Sequence, residues 1–417
     1  MRKVRFKDLL RSSVKELRGF CYSYKPERGF FCEYSTENAC QFKNWRRNNP
    51  ISYGRIRTTR QQALIISDTV MEQTGHLQKI KELLGKTDDQ LAEYTDIQAE
   101  PTQENVYDAL KLFQKHQCDH IIAFGGGSCL DTAKVVAVLA ANQLSLEAIH
   151  ARNFDQLQAG IPLIAVSTTA GTGSEVTDVA VITNTKTAVK MMMKDLVFMP
   201  QISIVDSDFT KTVPPKVTAA TGVDALCHAL ESYVSVKANE VTQLFSLEAM
   251  KKILNTLSQA YENSDDTEAR EQMSLASTEA GIAFSNASVT LIHGMSRPVG
   301  ALFHIPHGIS NAMLLPVFFE FSKDAIQTEL ATIARFIYPA AEDLSLEEAA
   351  DYLIKKIQEL CEQLSIPTIR DYGIDQQAFM AALDKMAADA LTSGSPQNNK
   401  KVPSHSQIKE LYVQAYG

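Results

Sequence analysis

Short apolar runs alternate with amphipathic segments through the first half of this 417-residue chain, and this alternation constrains the fold most. The runs QQALIISD (61–68), HIIAFGGG (120–127) and PLIAVSTTAGTGSE (162–175) are continuously apolar before their small or polar ends. Helical spacing at 69–84 and 103–117 lies between them, and VAVITN (179–184) and ISIVD (202–206) predict two further strands. Strands of this kind, separated by helices, predict a parallel sheet covered on both faces.

The pattern changes after Pro214 and Pro215, where no convincing strand remains. Helical spacing follows in a series of segments: 216–236, 240–260, 267–286, 288–303, 345–364 and a final short helix at 405–416. We therefore predict an α/β part followed by an all-helical part. The predicted domains are an atypical basic segment at 1–60, an α/β domain at 61–208 and a helical domain at 209–417.

Charge and cysteine content exclude several classes of protein. The net charge of -8 disfavours nucleic acid as a partner, and no apolar run approaches the ~18 residues that a membrane helix needs. The seven cysteines are odd in number, scattered and without a CxxC pair. This pattern favours reduced thiols and a cytoplasmic location over a disulfide framework.

Residues 1–60 differ from the rest of the chain. They carry 15 Lys and Arg against 5 Asp and Glu, a net charge of +10, which leaves -18 for the remainder. Their patterning predicts little beyond a short basic helix near Phe6–Leu17. Such asymmetry is typical of a tail, a targeting segment or a foreign stretch.

Asp224, His228, His293 and His307 form a candidate metal site. Asp224 and His228 are four residues apart in an apolar, helix-compatible segment, so they share one face of a helix. One carboxylate and three imidazoles suit Fe(II) or Zn(II) better than Mg or Ca. A buried core histidine is the usual alternative for each residue alone, but four candidates in a chain with nine His favour the metal site.

Two loops of small residues follow predicted strands and form a candidate nucleotide site. GGGSCLDTAK (125–134) opens a helix, at which Ser128 and Asp131 have capping-box spacing, and bare N–H groups at such a helix start attract phosphate. It lacks the GxGxxG fingerprint, because position 130 is Leu, so an ordinary glycine-rich turn is an equal alternative. TTAGTGSE (168–175) is the second loop. The Asp68 carboxylate is expected either to accept the ribose hydroxyls of an adenosine or to cap a helix N-terminus. The Lys190 ammonium is expected either to bind a phosphate or to lie exposed to solvent.

The combined motifs resemble the iron-dependent (group III) alcohol dehydrogenase family. They are GGGSCLDTAK, TTAGTGSEVT, IVDSDFTKTVPPKVTAATGVDALCHALE and HGMSRPVGALFHIPHGISNAMLLP, and the resemblance runs from about residue 61 to the C-terminus. It implies a dinucleotide-binding α/β domain, an all-α metal-binding domain like that of dehydroquinate synthase, and NAD between them. By position it implies these roles: metal ligands Asp224, His228, His293 and His307; pyrophosphate loop Gly126, Gly127, Ser128 and Asp131; nicotinamide side Thr168 and Thr169; adenosine ribose Asp68.

The chain departs from that pattern at Arg297, where many members of the family have a His near the substrate. A permanent cation there indicates an anionic or strongly polar substrate group, whereas a structural Arg paired with a carboxylate is the interpretation that the sequence favours. The expected activity is NAD-linked interconversion of an alcohol with an aldehyde or ketone, assisted by Fe(2+) or Zn(2+). A dehydroquinate-synthase-like lyase, a glycerol-dehydrogenase-like enzyme and an inactive homologue with a defective N-terminus are the alternatives. A homodimer is the working expectation for the assembly.

Overall fold

The computed structural model describes residues 28–34, 40–46, 62–84, 90–97, 100–152, 156–186 and 189–417. The basic helix predicted near Phe6–Leu17 lies outside these residues. No helix within the described ranges is long and apolar enough to cross a membrane.

Strands are concentrated in the first half of the chain, as follows: β1 (Arg28–Tyr34), β2 (Cys40–Arg46), β3 (Ala63–Ile66), β4 (Leu91–Tyr94), β5 (His120–Gly125), β6 (Leu163–Ser167), β7 (Val179–Asn184), β8 (Val189–Lys194) and β9 (Ile202–Val205). Seven of them form one sheet in the order β2-β1-β9-β6-β5-β3-β4. The five strands from β9 to β4 are parallel, and β1 joins β9 antiparallel.

Neighbouring residues of the central strands pack into different hydrophobic clusters. Leu64 and Ile121 belong to one cluster, whereas Ile65 and Ile122 belong to another on the opposite face. Successive side chains of a strand point to opposite faces, so both faces of the sheet are buried. The prediction of a parallel sheet covered on both faces is confirmed.

Five helices accompany the sheet: α1 (Thr69–Gln73), α2 (His76–Leu84), α3 (Gln103–Lys115), α4 (Gly127–Asn142) and α5 (Leu146–His150). One continuous helix was expected over 69–84, but the structure has two. Gly75 separates them with a φ of 75°, a left-handed conformation that glycine adopts at little cost.

The second half of the described chain is helical: α6 (Pro215–Val234), α7 (Glu240–Glu262), α8 (Thr267–Ala287), α9 (Leu291–Phe303), α10 (His307–Ile337), α11 (Leu346–Gln363), α12 (Gln376–Thr392) and α13 (His405–Tyr416). These helices share one continuous apolar core. The predicted fold class, an α/β part with a parallel sheet followed by an all-α part, is confirmed.

Two details differ from the sequence interpretation. The VAVITN strand is β7, which forms a separate antiparallel hairpin with β8 instead of entering the main sheet. The patterning of residues 1–60 did not predict β1 and β2, which extend the sheet beyond β9.

Candidate metal centre and cofactor cleft

Helix α6 supplies Asp224 and His228 from its buried interior. The helix begins with Pro215 at its first position, where the missing N–H of proline costs no hydrogen bond. Asp224 and His228 are 3% and 6% exposed, and Asp224 Oδ2 lies 3.9 Å from His228 Nδ1. This Nδ1 is buried without a hydrogen-bond partner among the described residues, so its lone pair is free for a ligand.

The other two histidines reach Asp224 from separate helices. His293 lies in the first turn of α9, and His307 is the first residue of α10. A Cβ at Gly308 would overlap the carbonyl oxygen of Ala220 on α6. Only glycine therefore permits α10 to start so close to α6, and this contact places His307 beside Asp224.

The four side chains fit a metal ion. One ligand atom from each of Asp224, His228, His293 and His307 lies within 4.8 Å of the others. Asp224 Oδ1 is 3.6 Å from His293 Nε2 and 3.7 Å from His307 Nε2. Bonds of about 2.0–2.2 Å in a tetrahedral site place ligand atoms roughly 3.3–3.6 Å apart, close to these separations. The ligands predicted from sequence are thus brought together.

Glu231, which the sequence analysis did not select as a site residue, orients His293. Its Oε1 accepts hydrogen bonds from Thr290 N (3.0 Å), Thr290 Oγ1 (2.8 Å), Ile292 N (2.8 Å) and His293 N (3.3 Å), and its Oε2 contacts His293 Nδ1. A proton on Nδ1 leaves the Nε2 lone pair directed at Asp224 and the metal position. The spacing of Asp224, His228 and Glu231 at i, i+4 and i+7 was the available signal.

The protonation of two of the imidazoles, His228 and His307, also suits a metal, which binds the neutral ring. Burial lowers the pKa of His228 to about 4, so this ring is neutral at neutral pH. Burial lowers the pKa of His307 as well, and the nearby Lys190 ammonium lowers it further. For His293, burial opposes the charged form, but Glu231 and Asp224 outweigh burial and raise its pKa.

Asn311, one turn after His307, is a second residue that sequence reasoning missed. Its Nδ2 donates a hydrogen bond to Asp224 Oδ1 at 2.6 Å, and it lies 3.2 Å from His293 Nε2 and 3.4 Å from His307 Nε2. Asn311 is fully buried, so its amide helps to set the orientation of the Asp224 carboxylate.

The glycine loop forms the start of α4. Gly126 occupies the N-cap position, and no side chain caps the helix. The predicted capping box between Ser128 and Asp131 is therefore wrong. Asp131 instead faces inward, where it accepts hydrogen bonds from Ser174 Oγ (2.6 Å) and Val181 N (2.9 Å). The uncapped N–H groups at this helix start favour an anion.

The second small-residue loop packs directly against the first. Thr168 N donates to Gly125 O at 3.0 Å, and a Cβ at Gly126 would lie 3.4 Å from Thr169 Cγ2. A Cβ at Gly127 would lie 2.8 Å from Thr172 Cγ2, so the loops meet where only glycine fits. The structure thus joins the two loops at the carboxyl ends of β5 and β6.

Asp68 borders this loop pair and caps α1. Its Oδ1 accepts from Met71 N at 2.9 Å, and its Oδ2 accepts from the Cys129 thiol at 3.4 Å. The N-cap alternative is therefore observed. Lys190 Nζ pairs with Glu100 Oε1 at 2.6 Å, so its ammonium already has an anionic partner.

Arg297 lies on α9 one turn after His293 and is partly buried. Its Nη1 donates to Ser395 Oγ at 3.0 Å. Within the described ranges, no carboxylate lies within 4.0 Å of the guanidinium. The carboxylate partner expected for a structural arginine is therefore absent from that part of the chain.

Comparison with known protein families gives the same result for the α/β part and for the helical part of the chain. A family model for iron-containing alcohol dehydrogenase matches residues 53–207. A second model, for the C-terminal part of the Fe-containing alcohol dehydrogenase family, matches residues 218–416.

Individual relatives match most of the chain. It is 34% identical to a 1,3-propanediol dehydrogenase of Citrobacter freundii over 359 residues, which cover 85% of this chain and 91% of the relative. It is 32% identical to an NAD-dependent methanol dehydrogenase of Bacillus methanolicus, with 85% and 92% covered. The solved structure of an alcohol dehydrogenase from Oenococcus oeni superimposes with a TM-score of 0.82 at 31% identity, covering 88% of this chain and 95% of that one.

Proposed function

The chain belongs to the iron-containing alcohol dehydrogenase family, and on that premise we propose which of its residues carry the activity. The protein is a metal-dependent, NAD-linked oxidoreductase that interconverts an alcohol with an aldehyde or ketone. Its cofactors are Fe(2+) and NAD.

The convergence of Asp224, His228, His293 and His307 carries the proposal. These four residues would hold the metal, and the orphaned Nδ1 of His228 supports this role. When bound, the divalent metal supplies Lewis acidity and NAD supplies the hydride-accepting ring. The mixture of one carboxylate and three imidazoles accepts Zn(2+) as well as Fe(2+).

Glu231 acts through His293 by holding its Nδ1 proton and fixing the ring orientation. Asn311 acts through Asp224 by donating to one carboxylate oxygen. Both contacts restrict the ligands to one arrangement, which reduces the reorganisation needed for metal binding. These two residues hold the site in shape and do not exchange protons with substrate.

We assign the cofactor to the paired loops beside α4. The N–H groups near Gly126, Gly127 and Ser128 would receive the pyrophosphate, with Asp131 securing the loop from inside. Thr168 and Thr169 would border the nicotinamide, and Asp68 would receive the adenosine ribose. Lys190 is assigned no phosphate contact, because Glu100 neutralises its charge.

The assignment of cofactor and metal residues also divides the chain into two domains. We propose an NAD-binding domain at 61–208 and a metal-binding domain at 209–417, which agree with the change from sheet to helices. The substrate is a small alcohol or aldehyde.

Four free thiols in the described residues (Cys118, Cys129, Cys227 and Cys361) support a cytoplasmic location. A homodimer is proposed as the assembly, to be tested by light scattering after size-exclusion chromatography.

The test combines metal analysis with a screen of NAD-linked alcohols. Anaerobically purified wild type is expected to carry one Fe or Zn per chain and to reduce NAD with short primary alcohols. His293→Ala should lose both metal and activity while it keeps a cooperative melting transition, because each lost ligand sharply weakens the site. His116→Ala, which removes an exposed imidazole on α3's C-terminal side, is the matched control and should keep both.

Two results would contradict the assignment. Full metal content in His293→Ala would show that the ion binds elsewhere. Wild type that binds metal and NAD but converts no alcohol would contradict the substrate class.

A further inference from the structure

The thiol of Cys129 lies against the carboxylate of Asp68. Cys129 is the third residue of α4 and is 1% exposed, and its Sγ is 3.4 Å from Asp68 Oδ2. A thiol can donate a hydrogen bond, whereas an ionised carboxylate can only accept one. The thiol proton therefore lies between Sγ and the carboxylate oxygen.

The surroundings of Cys129 keep its thiol protonated. Burial raises the pKa of Cys129 well above its usual range, and the neighbouring Asp68 carboxylate raises it further. The thiolate, which is the reactive form of a cysteine, is therefore scarce near neutral pH. Cys129 acts as a neutral hydrogen-bond donor and not as a nucleophile.

The local backbone leaves room for this contact. A Cβ at Gly125 would lie 2.5 Å from Cys129 Sγ and 3.2 Å from Asp68 Oδ2, so a larger residue there would displace the thiol. Ser67, which precedes Asp68, donates from its hydroxyl to Phe124 O at 2.7 Å. Two consecutive side chains thus fix the end of β3 to the end of β5 and the start of α4.

Both oxygens of Asp68 are fixed, and both keep some capacity to accept hydrogen bonds. Oδ1 accepts from Met71 N at 2.9 Å, and Oδ2 accepts from the Cys129 thiol. A carboxylate has about four lone-pair sites, so roughly one remains on each oxygen. Two adjacent acceptors match the neighbouring 2′ and 3′ hydroxyls of a ribose.

We propose that Cys129 is a positioning residue for the cofactor, because its thiol fixes the Asp68 carboxylate in the orientation that receives both ribose hydroxyls. This inference rests on the proposed function, which assigns the adenosine ribose to Asp68. A carboxylate fixed at both oxygens needs no reordering when NAD binds, which favours affinity. It also cannot turn away from a 2′-phosphate, so the thiol contributes to a preference for NAD over NADP.

The test measures binding without turnover. ADP-ribose and 2′-phospho-ADP-ribose differ only at the 2′ position, and isothermal titration calorimetry gives a dissociation constant for each. Wild type should bind ADP-ribose more tightly than its 2′-phosphate. Cys129→Ala should weaken ADP-ribose roughly three- to tenfold, the usual effect of one lost hydrogen bond, and narrow the ratio between the two ligands.

The matched control is Cys118→Ala. Cys118 is another buried thiol in the same apolar cluster, but it follows α3 and lies outside the two cofactor loops. Both substitutions remove a buried sulfur and should lower the melting temperature. Only Cys129→Ala should change the ratio of the two dissociation constants.

Two further variants separate positioning from packing. Cys129→Ser retains a donor and should bind ADP-ribose more tightly than Cys129→Ala, whereas a loss of packing alone predicts no recovery. In an Asp68→Gly background, Cys129→Ala should have no further effect on ADP-ribose, since residues that act through one contact are not additive.

Three results would overturn the role of Cys129. They are a dissociation constant for Cys129→Ala within about twofold of wild type, a Ser variant that binds no better than the Ala variant, and a full loss of affinity in the Asp68→Gly background. If Asp68→Gly binds ADP-ribose as tightly as wild type, the ribose does not contact Asp68 and the inference is wrong as well. Wild type that binds neither ligand would instead reject the cofactor site of the proposed function.

Discussion

Replacing Glu231 by Gln should weaken metal binding, because an amide has one acceptor oxygen whereas both oxygens of the Glu231 carboxylate accept hydrogen bonds. Four donors from Thr290, Ile292 and His293 meet Oε1, and the His293 ring meets Oε2. If the amide oxygen faces the four donors, its NH2 group faces the His293 Nδ1 proton. The ring must then move its proton to Nε2, the atom 3.6 Å from Asp224 Oδ1, and it loses the lone pair that the metal needs.

The expected magnitude follows from this conflict. Loss of a hydrogen-bonding partner behind a metal ligand reduces metal affinity about 10–100-fold, which corresponds to about 1.4–2.7 kcal/mol. Loss of the charged acceptor should also destabilise the metal-free protein by about 1.5–3 kcal/mol. The two effects are separable, because the first requires metal and the second does not.

The assay is Zn(2+) titration in competition with a chelator, together with thermal unfolding in excess chelator. Thr290→Val is the matched control, because it removes one of the four donors and keeps the carboxylate charge. Its metal affinity should stay within about threefold of wild type. A dissociation constant for Glu231→Gln within twofold of wild type would refute the orienting role, even if the melting temperature fell.

Three further predictions concern other contacts. Gly308→Ala should lower both the melting temperature and the metal content, since its Cβ would overlap the Ala220 carbonyl oxygen; a variant with full metal content would contradict this. Asp68→Gly should narrow a preference for NAD over NADP, measured as a ratio of kcat/KM, by removing repulsion of the 2′-phosphate; a wild type that already prefers NADP would refute it. Burial raises the pKa of Glu279 to about 7 despite its pairing with Lys252, so its folded pKa exceeds the unfolded value and stability declines as pH rises between them. Lys252→Met should therefore reduce the melting temperature more at pH 8.5 than at pH 6, and an equal reduction would exclude ionic pairing.

Helices with clear boundary signals could be predicted from the sequence, whereas those with internal irregularities could not. The helix predicted over 405–416 is observed as His405–Tyr416, with Ser404 forming its cap. The 31-residue α10 was missed. It contains Pro316, and an internal proline normally indicates a helix end in a sequence. The backbone is kinked at Ile326, where two helical segments meet, and α10 packs against both α6 and α11.

The candidate site likewise contains residues that the sequence could predict and residues that it could not. The ligand set could be proposed from residue types and spacing, because a metal requires particular donors. The role of Glu231 could not, because it depends on how the first turn of α9 meets α6 in space. The capping box of Ser128 and Asp131 failed for a related reason. Spacing alone cannot show that Ser174 and Val181 compete for the Asp131 carboxylate.

All four proposed metal ligands belong to three helices of the all-α part, and the proposed cofactor loops belong to the α/β part. Substitutions that alter nucleotide recognition therefore fall on different secondary-structure elements from those that alter metal choice. Nucleotide recognition can therefore change during evolution while metal choice stays constant, and the reverse is equally open.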